Sequence, residues 1–510
     1  MFMSSGDYRE SLRRYHPTVY VNGRQVESVA DDAQLMPGIN AIALTYDYAL
    51  REDLRKRMVA TQHTSGKPVN RMLHINHSTD DLLNKLEAVR ILCQQTGCAQ
   101  RYLSGDALNA LYQATHRIDA DRGTDYHQRL LNYLHKVQDE DLTCAVAMTD
   151  AKGDRSLRPY QQDNPDVYVH IVERRKDGIV ISGTKAIVTA APYVHEFLVM
   201  PCRSMTELDR DFALACALPV DAPGITIVSR PAGRPGEACA KFSARYGQSV
   251  AVVIFNKVFV PHERIFLCGE WLHSGFLTTT YATHHRHSCI AARAGFGDLL
   301  IGAGVLMCEA NGLAPEDKPH LRDALVDLIK ITEGFFACGV AASAYGVKDA
   351  SGNIQPEPVY ANIGKLLLAT QIYDMQRLAH HVSGGLVVAL PGPEEDHNPA
   401  TAADLNAVLA ARSDIPVEQR KEVARLMEDL TASNTAGWYS LISLHGGGSP
   451  EAMKMEIYRN YPLQEKTALV EKLLERGLLN DGRKVNAQPG RCCTSGCETP
   501  ENTAPAGAVK

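Results

Sequence analysis

A chain of 510 residues is more than one hydrophobic core usually organises, so two to four domains are expected. Its 45% apolar and 22% charged residues describe a water-soluble globular protein rather than a disordered or fibrous one. The formal net charge of −6 comes with no basic stripe, which points away from nucleic acid and toward small-molecule partners.

The first residues, MFMSSGDYRESLRRYHPTVYVNG, become charged within ten positions and lack the apolar core of a secretory signal. No stretch holds about 18 uninterrupted apolar residues, so no membrane span is expected. The thirteen cysteines are scattered, a usage that suits reduced thiols and a cytoplasmic location. Around Asn22-Gly23 the segment Tyr20 to Val29 reads as a short hairpin. From Asp80 to Tyr133 the spacing is helical, carried by Leu82, Leu83, Leu86, Val89, Ile91, Leu92, Leu108, Leu111 and Tyr112. Ser78 or Thr79 can cap its start, with Asp80 and Asp81 in the first turn.

The pattern changes after Cys144. The run DVYVHIVERRKDGIVISGTKAIVT alternates across a Lys176-Asp177-Gly178 turn, and FLVMPCRSM, FALACALPV, ITIVSR and VAVVIFNKVFVP follow as further strands. They predict a compact β domain, a sandwich or barrel. Helical spacing returns at Ser274 and persists through Leu299, Leu325, Leu328, Leu366 to Leu368, Leu426 and Leu469 to Leu474, broken by Pro/Gly-rich links at Ser351 to Pro358 and Pro391 to Pro399. The order is α, then β, then α. The expected domains are 1–144, helical with a small hairpin; 145–275, β; 276–483, helical; and 484–510, a disordered tail ending in RCCTSGCETPENTAPAGAVK. Cys492, Cys493 and Cys497 in that tail are three thiols with no fourth ligand nearby, a weak metal signal.

Three places carry candidate chemistry. The run Met148-Thr149-Asp150-Ala151-Lys152-Gly153-Asp154-Arg155 stands at the α/β junction, where a hydroxyl, two cations and glycine amides suit a cofactor ring and pyrophosphate. Its bland alternative is a solvated charged loop. The second is His445-Gly446-Gly447-Gly448-Ser449-Pro450, whose glycines let a backbone approach a phosphate or ring, or simply stop a helix. The third is Thr283 to Gly304, THHRHSCIAARAGFGDLLIGAG, read as a helix entrance. Here His285 and Cys289 are four apart and share a helical face, with Ala292 next along it. Together with Cys93, Cys98, His284 and His287 they hold metal-ligand types, although Cys-x4-Cys with His-x3-Cys is not a closed-site spacing. There is no GxGxxG after a strand, Walker loop, GxSxG or HExxH.

The chain resembles the flavin enzymes that group 4-hydroxybutyryl-CoA dehydratase with the two-component 4-hydroxyphenylacetate 3-hydroxylases. The resemblance runs through DYRESLRRYHPTVYVNG, HSTDDLLNKLEAVR, CAQRYLSGDALNA, AMTDAKGDR, FNKVFVPHERIFLC, HHRHS before GFGDLLIGA, and LHGGGSP, and is closer to the dehydratase branch. It implies an α+β, acyl-CoA-dehydrogenase-like fold with a helical N-domain, a β-sandwich or barrel middle domain and a helical-bundle C-domain, FAD bound at the domain junction, and a homotetramer. By the same resemblance Met148, Thr149, Lys152 and Arg155 form a flavin loop, Thr189 a second flavin contact and Gly446, Gly447, Gly448 and Ser449 a third. Of the dehydratase's four iron-cluster ligands, Cys98 and His285 match the first and third, while Tyr102 and Ala292 stand in the other two places. An iron-sulfur cluster is therefore not expected. Cys289 and Ile442 stand where that branch has a catalytic tyrosine and a glutamate. The hydroxylase branch's arginine, tyrosine and histidine fall at Leu103, Ala107 and near Val146.

The reading is a FAD-dependent oxidoreductase. Its first form is a monooxygenase using FADH2 and oxygen, supplied by a flavin reductase, on a small, non-aromatic or thioester-linked substrate. Its second is a 4-hydroxyacyl-CoA dehydratase or vinylacetyl-CoA isomerase, and its third a non-catalytic flavin-binding scaffold. His285, Cys289, His287 and Tyr102 are the expected catalytic residues, His285 foremost for proton transfer, with Arg286 and Ser288 on the cofactor side.

Overall fold

In the computed structural model, residues 2–474 are described, and the cysteine-rich tail lies outside them. The chain divides into a compact unit ending at Asn460 and a second beginning at Tyr461, which contains the helix Leu463–Leu473. Four N-terminal helices matter for the site: α1 (Met36–Leu50), α2 (Thr79–Thr96), α3 (Tyr102–Arg122) and α4 (Tyr126–Asp139). Ser78 caps α2 in a capping box with Asp81, and the helix stops at Gly97, whose φ of 65° admits the reversal into α3.

Apart from two small two-stranded ladders, the strands build two sheets. β1 (Thr18–Val21) and β2 (Arg24–Gln25) form the expected hairpin, with Asn22 and Gly23 both at positive φ as a tight two-residue turn requires. β3 (Cys144–Ala147), β4 (His170–Arg174), β5 (Gly178–Thr189), β6 (Glu196–Val199), β7 (Leu214–Pro219), β8 (Ile225–Ser229), β9 (Val250–Pro261) and β10 (Ile265–Cys268) follow. One sheet runs β2-β1-β8-β9-β5-β4 and the other β10-β7-β6-β3. The N-terminal hairpin enters the first through parallel pairing of Thr18 with Thr226, a long-range contact no local pattern announces. Alternation along β9 turns Ala251, Val253 and Phe255 inward and leaves Val252 and Ile254 exposed. Phe255 meets Phe197 of the other sheet at 6.4 Å between ring centres, so the two inner faces share a core.

The third region contains α5 (Ser274–Ala310), α6 (Pro319–Ala344), α7 (Pro358–Ser383), α8 (Val417–Thr431), α9 (Asn434–His445) and α10 (Pro450–Asn460). α5 is the central element, packed by α2, α3, α6, α7 and α8. It is long and apolar enough to cross a membrane by length and composition, yet it is mostly buried inside the fold. The histidine-rich segment expected at a helix entrance lies well inside α5. In the threonine-rich stretch before it, Thr278 and Thr283 satisfy their hydroxyls on the carbonyls of Ser274 and Thr279 one turn back, and the helix is held by its burial in the fold.

Small residues let α5 approach α2. A β-carbon on Gly295 would fall 2.5 Å from the Arg90 carbonyl and 2.8 Å from the Cys93 backbone carbon. Gly295→Ala is therefore expected to push the helices apart and cost about 1–3 kcal/mol, read as a lower denaturation midpoint in urea.

Candidate functional site

The site grows from a carboxylate in an apolar place. Asp106 of α3 is fully buried, and its Oδ1 accepts Lys85 Nζ at 2.5 Å and Ser288 Oγ at 2.7 Å. Its Oδ2 faces His285 Nδ1 at 3.3 Å. The other ring nitrogen, Nε2, lies 3.5 Å from Cys289 Sγ. One carboxylate thus joins α2, α3 and α5, and its partner imidazole turns to a thiol.

The charges follow from this geometry. Burial works against ionised Asp106, but Lys85 and then His285 hold its carboxyl below the usual range. Burial likewise opposes protonated His285, yet Cys289 and Asp106 outweigh it and raise the imidazole to about 9. For Cys289 burial would raise the thiol, while His285, Lys365 and Arg293 bring it below the ordinary value. The arrangement favours a thiolate–imidazolium pair with the carboxylate behind it. Residue Cys289 is partly exposed, whereas His285 and Ser288 are buried. Tyr281 and Tyr102 stack on the His285 ring at 5.4 and 6.3 Å and fix its plane.

The glycine loop comes to the same place. Arg286 Nε donates to the Gly447 carbonyl at 2.9 Å and Nη1 to Asn362 Oδ1 at 2.6 Å. Gly447 and Gly448 have φ of 77° and 103°, and a β-carbon on Gly447 would lie 3.4 Å from the His285 ring and 3.8 Å from Lys365 Cε. Gly446 and Ser449 frame this approach, Ser449 at the start of α10.

Other expected residues fall elsewhere. His287 points to α6, where Nε2 meets Ser343 Oγ at 2.7 Å, and burial holds it neutral with a pKa near 3, so it is not brought to the thiol. Ser288 is engaged by Asp106. The Tyr102 hydroxyl lies 3.5 Å from Cys98 Sγ and is kept protonated by burial, with the nearby thiols adding to the effect.

The Met148 to Arg155 loop leaves β3 and lies along β5. Ala186 N donates to the Thr149 carbonyl at 2.8 Å, and Lys185 Nζ binds Asp150 at 2.8 Å and the carbonyls of Met148 and Met200 at 2.9 and 2.8 Å. Lys152 and Gly153 take positive φ, and the Arg155 side chain is exposed. At the far end of β5, Thr189 accepts from Gln248 Nε2 at 3.4 Å. The buried Gln248 Oε1 and Ser249 Oγ have no hydrogen-bond partner within the protein, so a polar ligand there would complete their bonding. These two polar atoms, Thr189 and the exposed cation fit the polar edge and phosphates of a dinucleotide flavin. Gln100 connects the two regions. It donates to the Gly247 carbonyl at 2.8 Å and accepts from Tyr193, whose hydroxyl takes Ser249 N–H at 2.9 Å.

The iron-cluster donor set does not fit. Cys98 and His285 are in place, but Ala292 offers a buried methyl, Tyr102 a protonated phenol, and the neighbouring Arg293 reaches to the Gly97 carbonyl beside Cys98. Among the described residues no three His, Cys, Asp or Glu side chains are grouped to hold a metal ion.

Reading the sequence missed Asp106, Lys85, Arg293 and Lys365. Lys85 stands within the apolar stripe of Leu82, Leu86 and Val89, and Asp106 between Leu103 and Ala107. Charges on a core-facing stripe were the available signal.

Against known proteins, models of the 4-hydroxyphenylacetate 3-hydroxylase N-terminal and C-terminal regions match residues 5–267 and 274–475. The chain belongs to that family. It is 35% identical to the 4-hydroxybutyryl-CoA dehydratase/vinylacetyl-CoA-Delta-isomerase of Clostridium aminobutyricum over 92% of this chain and 99% of the relative. It is 25% identical to the 4-hydroxyphenylacetate 3-monooxygenase oxygenase component of Thermus thermophilus, over 94% of this chain and 98% of that one. Among solved structures, an oxygen-tolerant archaeal 4-hydroxybutyryl-CoA dehydratase from N. maritimus superimposes with a TM-score of 0.89 at 36% identity, covering 94% and 96% of the two chains. The FAD complex of a 4-hydroxyphenylacetate 3-monooxygenase oxygenase component shares the fold at 0.83 and 21% identity, over 93% and 99%. The likeness is thus stronger on the dehydratase side, as expected.

Because the His285 pKa is raised, by Cys289 first and Asp106 next, its pairing with the two stabilises the fold below pH about 6.5 and fades as pH rises through about 9. The pH-dependent part of the cost of Asp106→Asn is accordingly expected to be largest at pH 6 and to vanish above pH about 9, checked by denaturant midpoints across that range. The same variant should move the 240-nm thiolate absorbance of Cys289 to higher pH, with Cys289→Ser as the blank.

Proposed function

We propose that this protein is a FAD-dependent enzyme that moves a proton on a small unsaturated or hydroxylated acyl thioester, in the manner of a Δ-isomerase. The observation that carries the reading is the Asp106–His285–Cys289 relay, which ends on a partly exposed residue. The substrate class is taken from the relative named as a dehydratase and Δ-isomerase, which matches nearly end to end. Met148, Thr149, Lys152, Arg155 and Thr189, with Gln248 and Ser249, would hold the flavin on the β side, and Gly446 to Ser449 would flank it from the helical side. When bound, the flavin supplies reversible acceptance and donation of electrons.

The chain's own residues do the proton work. The Cys289 thiolate takes a proton from the carbon next to the thioester carbonyl, so that a C–H bond breaks and an S–H bond forms. The electron pair left on the substrate spreads toward its double bond. The thiol then returns the proton two carbons further along, and the double bond moves into conjugation with the carbonyl. His285 keeps the sulfur ionised between turnovers, and Asp106 keeps His285 protonated.

A second reading, an oxygenase fed with FADH2 by a reductase, is favoured by the family models themselves and by the relatives named as monooxygenases. The two separate on one pair of assays. On the first reading, but-3-enoyl-CoA is converted to its conjugated isomer without dioxygen, and Cys289→Ser and His285→Gln each lower the rate about 10²–10⁴-fold at unchanged FAD content. Dioxygen uptake with FADH2, and no isomer formed by the wild type, would sink it. Arg155→Ala should weaken FAD retention without lowering the melting temperature of the flavin-free protein.

A further inference from the structure

Burying a cation without a counter-charge is costly, and most of this molecule obeys that rule. Arg71, Lys85, Arg101, Lys185, Lys421 and Arg425 are buried, and each faces a carboxylate at 2.5 to 3.5 Å. Among the described residues three buried cations do not, namely Arg286, Arg293 and Lys365. Their hydrogen bonds go to neutral groups. Arg286 binds the Gly447 carbonyl and Asn362, while Arg293 Nε binds Ser443 Oγ at 2.6 Å and Lys365 Nζ binds the Ser443 carbonyl at 2.6 Å. Glu456, the carboxylate felt by Arg286, is engaged by Arg459 at 2.7 Å.

The three also converge. Arg293 and Lys365 meet at one residue, Ser443, and Lys365 and Arg286 both flank the β-carbon position of Gly447, at 3.8 Å from Cε and 3.3 Å from Cγ. The Arg286 guanidinium lies 3.1 Å from where a β-carbon of Gly448 would be, so the absence of a side chain there lets the glycine backbone pack close against it. The local negative groups are Cys289 and Asp106, and Asp106 is already matched by Lys85 and His285. Positive charge is in excess around Cys289.

We propose that Arg286, Arg293 and Lys365 form a cradle for an anionic oxygen group of a bound ligand, either a carboxylate or enolate oxygen of the substrate or an anionic oxygen of the flavin. Three buried cations that lack carboxylates are held ready for one, because their neutral partners fix their direction without cancelling their charge. Burial lowers Lys365 to about 8, with Cys289 opposing and Arg293 and Arg286 adding to the effect, as expected of an ammonium waiting for its counter-ion. The inference stands without the proton-transfer reading, since it does not depend on what Cys289 does.

The test is calorimetric titration of the full-length protein as purified, before and after addition of FAD, with butyrate and with inorganic pyrophosphate, in the wild type, Lys365→Met and Arg286→Gln. At least one anion is expected to bind the wild type and to lose about tenfold or more in affinity in either variant, as removal of a charge-assisted bond requires. Affinity should fall as pH rises through about 8, where Lys365 loses its proton, and this fall should be absent from Lys365→Met. The comparison with that variant is needed because His285, Cys289, Arg286 and Arg293 face the same space. Butyrate binding to the FAD-loaded protein assigns the anion to the substrate. Pyrophosphate binding that FAD abolishes, with no butyrate binding to the loaded protein, assigns it to the flavin. Without ligand, Lys365→Met should melt at or above the wild-type temperature, since it removes an unmatched buried charge. Binding of neither anion to the wild type, equal binding by the variants, or a fall in the ligand-free melting temperature of Lys365→Met would each overturn the proposal.

Discussion

The carboxylate of Asp106 is the constraint on which the site depends. A fully buried ionised group survives only with its oxygens satisfied, and here Lys85, Ser288 and His285 provide that from two other helices. The same bonds fix α2 and α3 against the segment of α5 that carries the chemistry, and together with Cys289 they raise the pKa of His285. Gly295 lets α2 and α5 come close, so packing and electrostatics act on one helix pair.

Around this anchor the charge is not balanced. Elsewhere among the described residues each buried lysine or arginine is matched to a carboxylate, and beside Cys289 three of them have neutral partners. That arrangement is costly in an isolated protein and useful in one that receives an anion. It also separates this chain's site from the metal-ligand set of the dehydratase branch, since Ala292 carries no donor and the adjacent Arg293 places a guanidinium next to Cys98.

Much of the architecture was legible because local chemistry announced it. Asn22-Gly23 marked a hairpin, Ser78 with Asp81 a helix start, and alternation in VAVVIFNKVFVP a half-buried strand. The four-residue spacing of His285 and Cys289 placed them on one face, and they lie 3.5 Å apart. The helix-entrance reading missed because α5 already begins at Ser274, where the helical spacing returns, so the histidines fall inside the helix. His287 was grouped with His285 by nearness in sequence, yet two positions along a helix turn a side chain to a different face, here toward α6.

By itself the sequence determined the alternation of helical and β regions, the flavin-enzyme family and the residues from which a site could be drawn, because periodicity, turn chemistry and motifs are local properties. Only the tertiary structure decided which of them meet. Asp106 and Lys85 lie some 180 and 200 positions from His285 in the chain, and Lys365 and Ser443 are as remote from Arg293 in sequence as they are near it in space. The state of the thiol, the excess of buried positive charge and the close approach of Gly447 are sums over distant groups in a low-dielectric interior, and such sums exist only once the chain has folded.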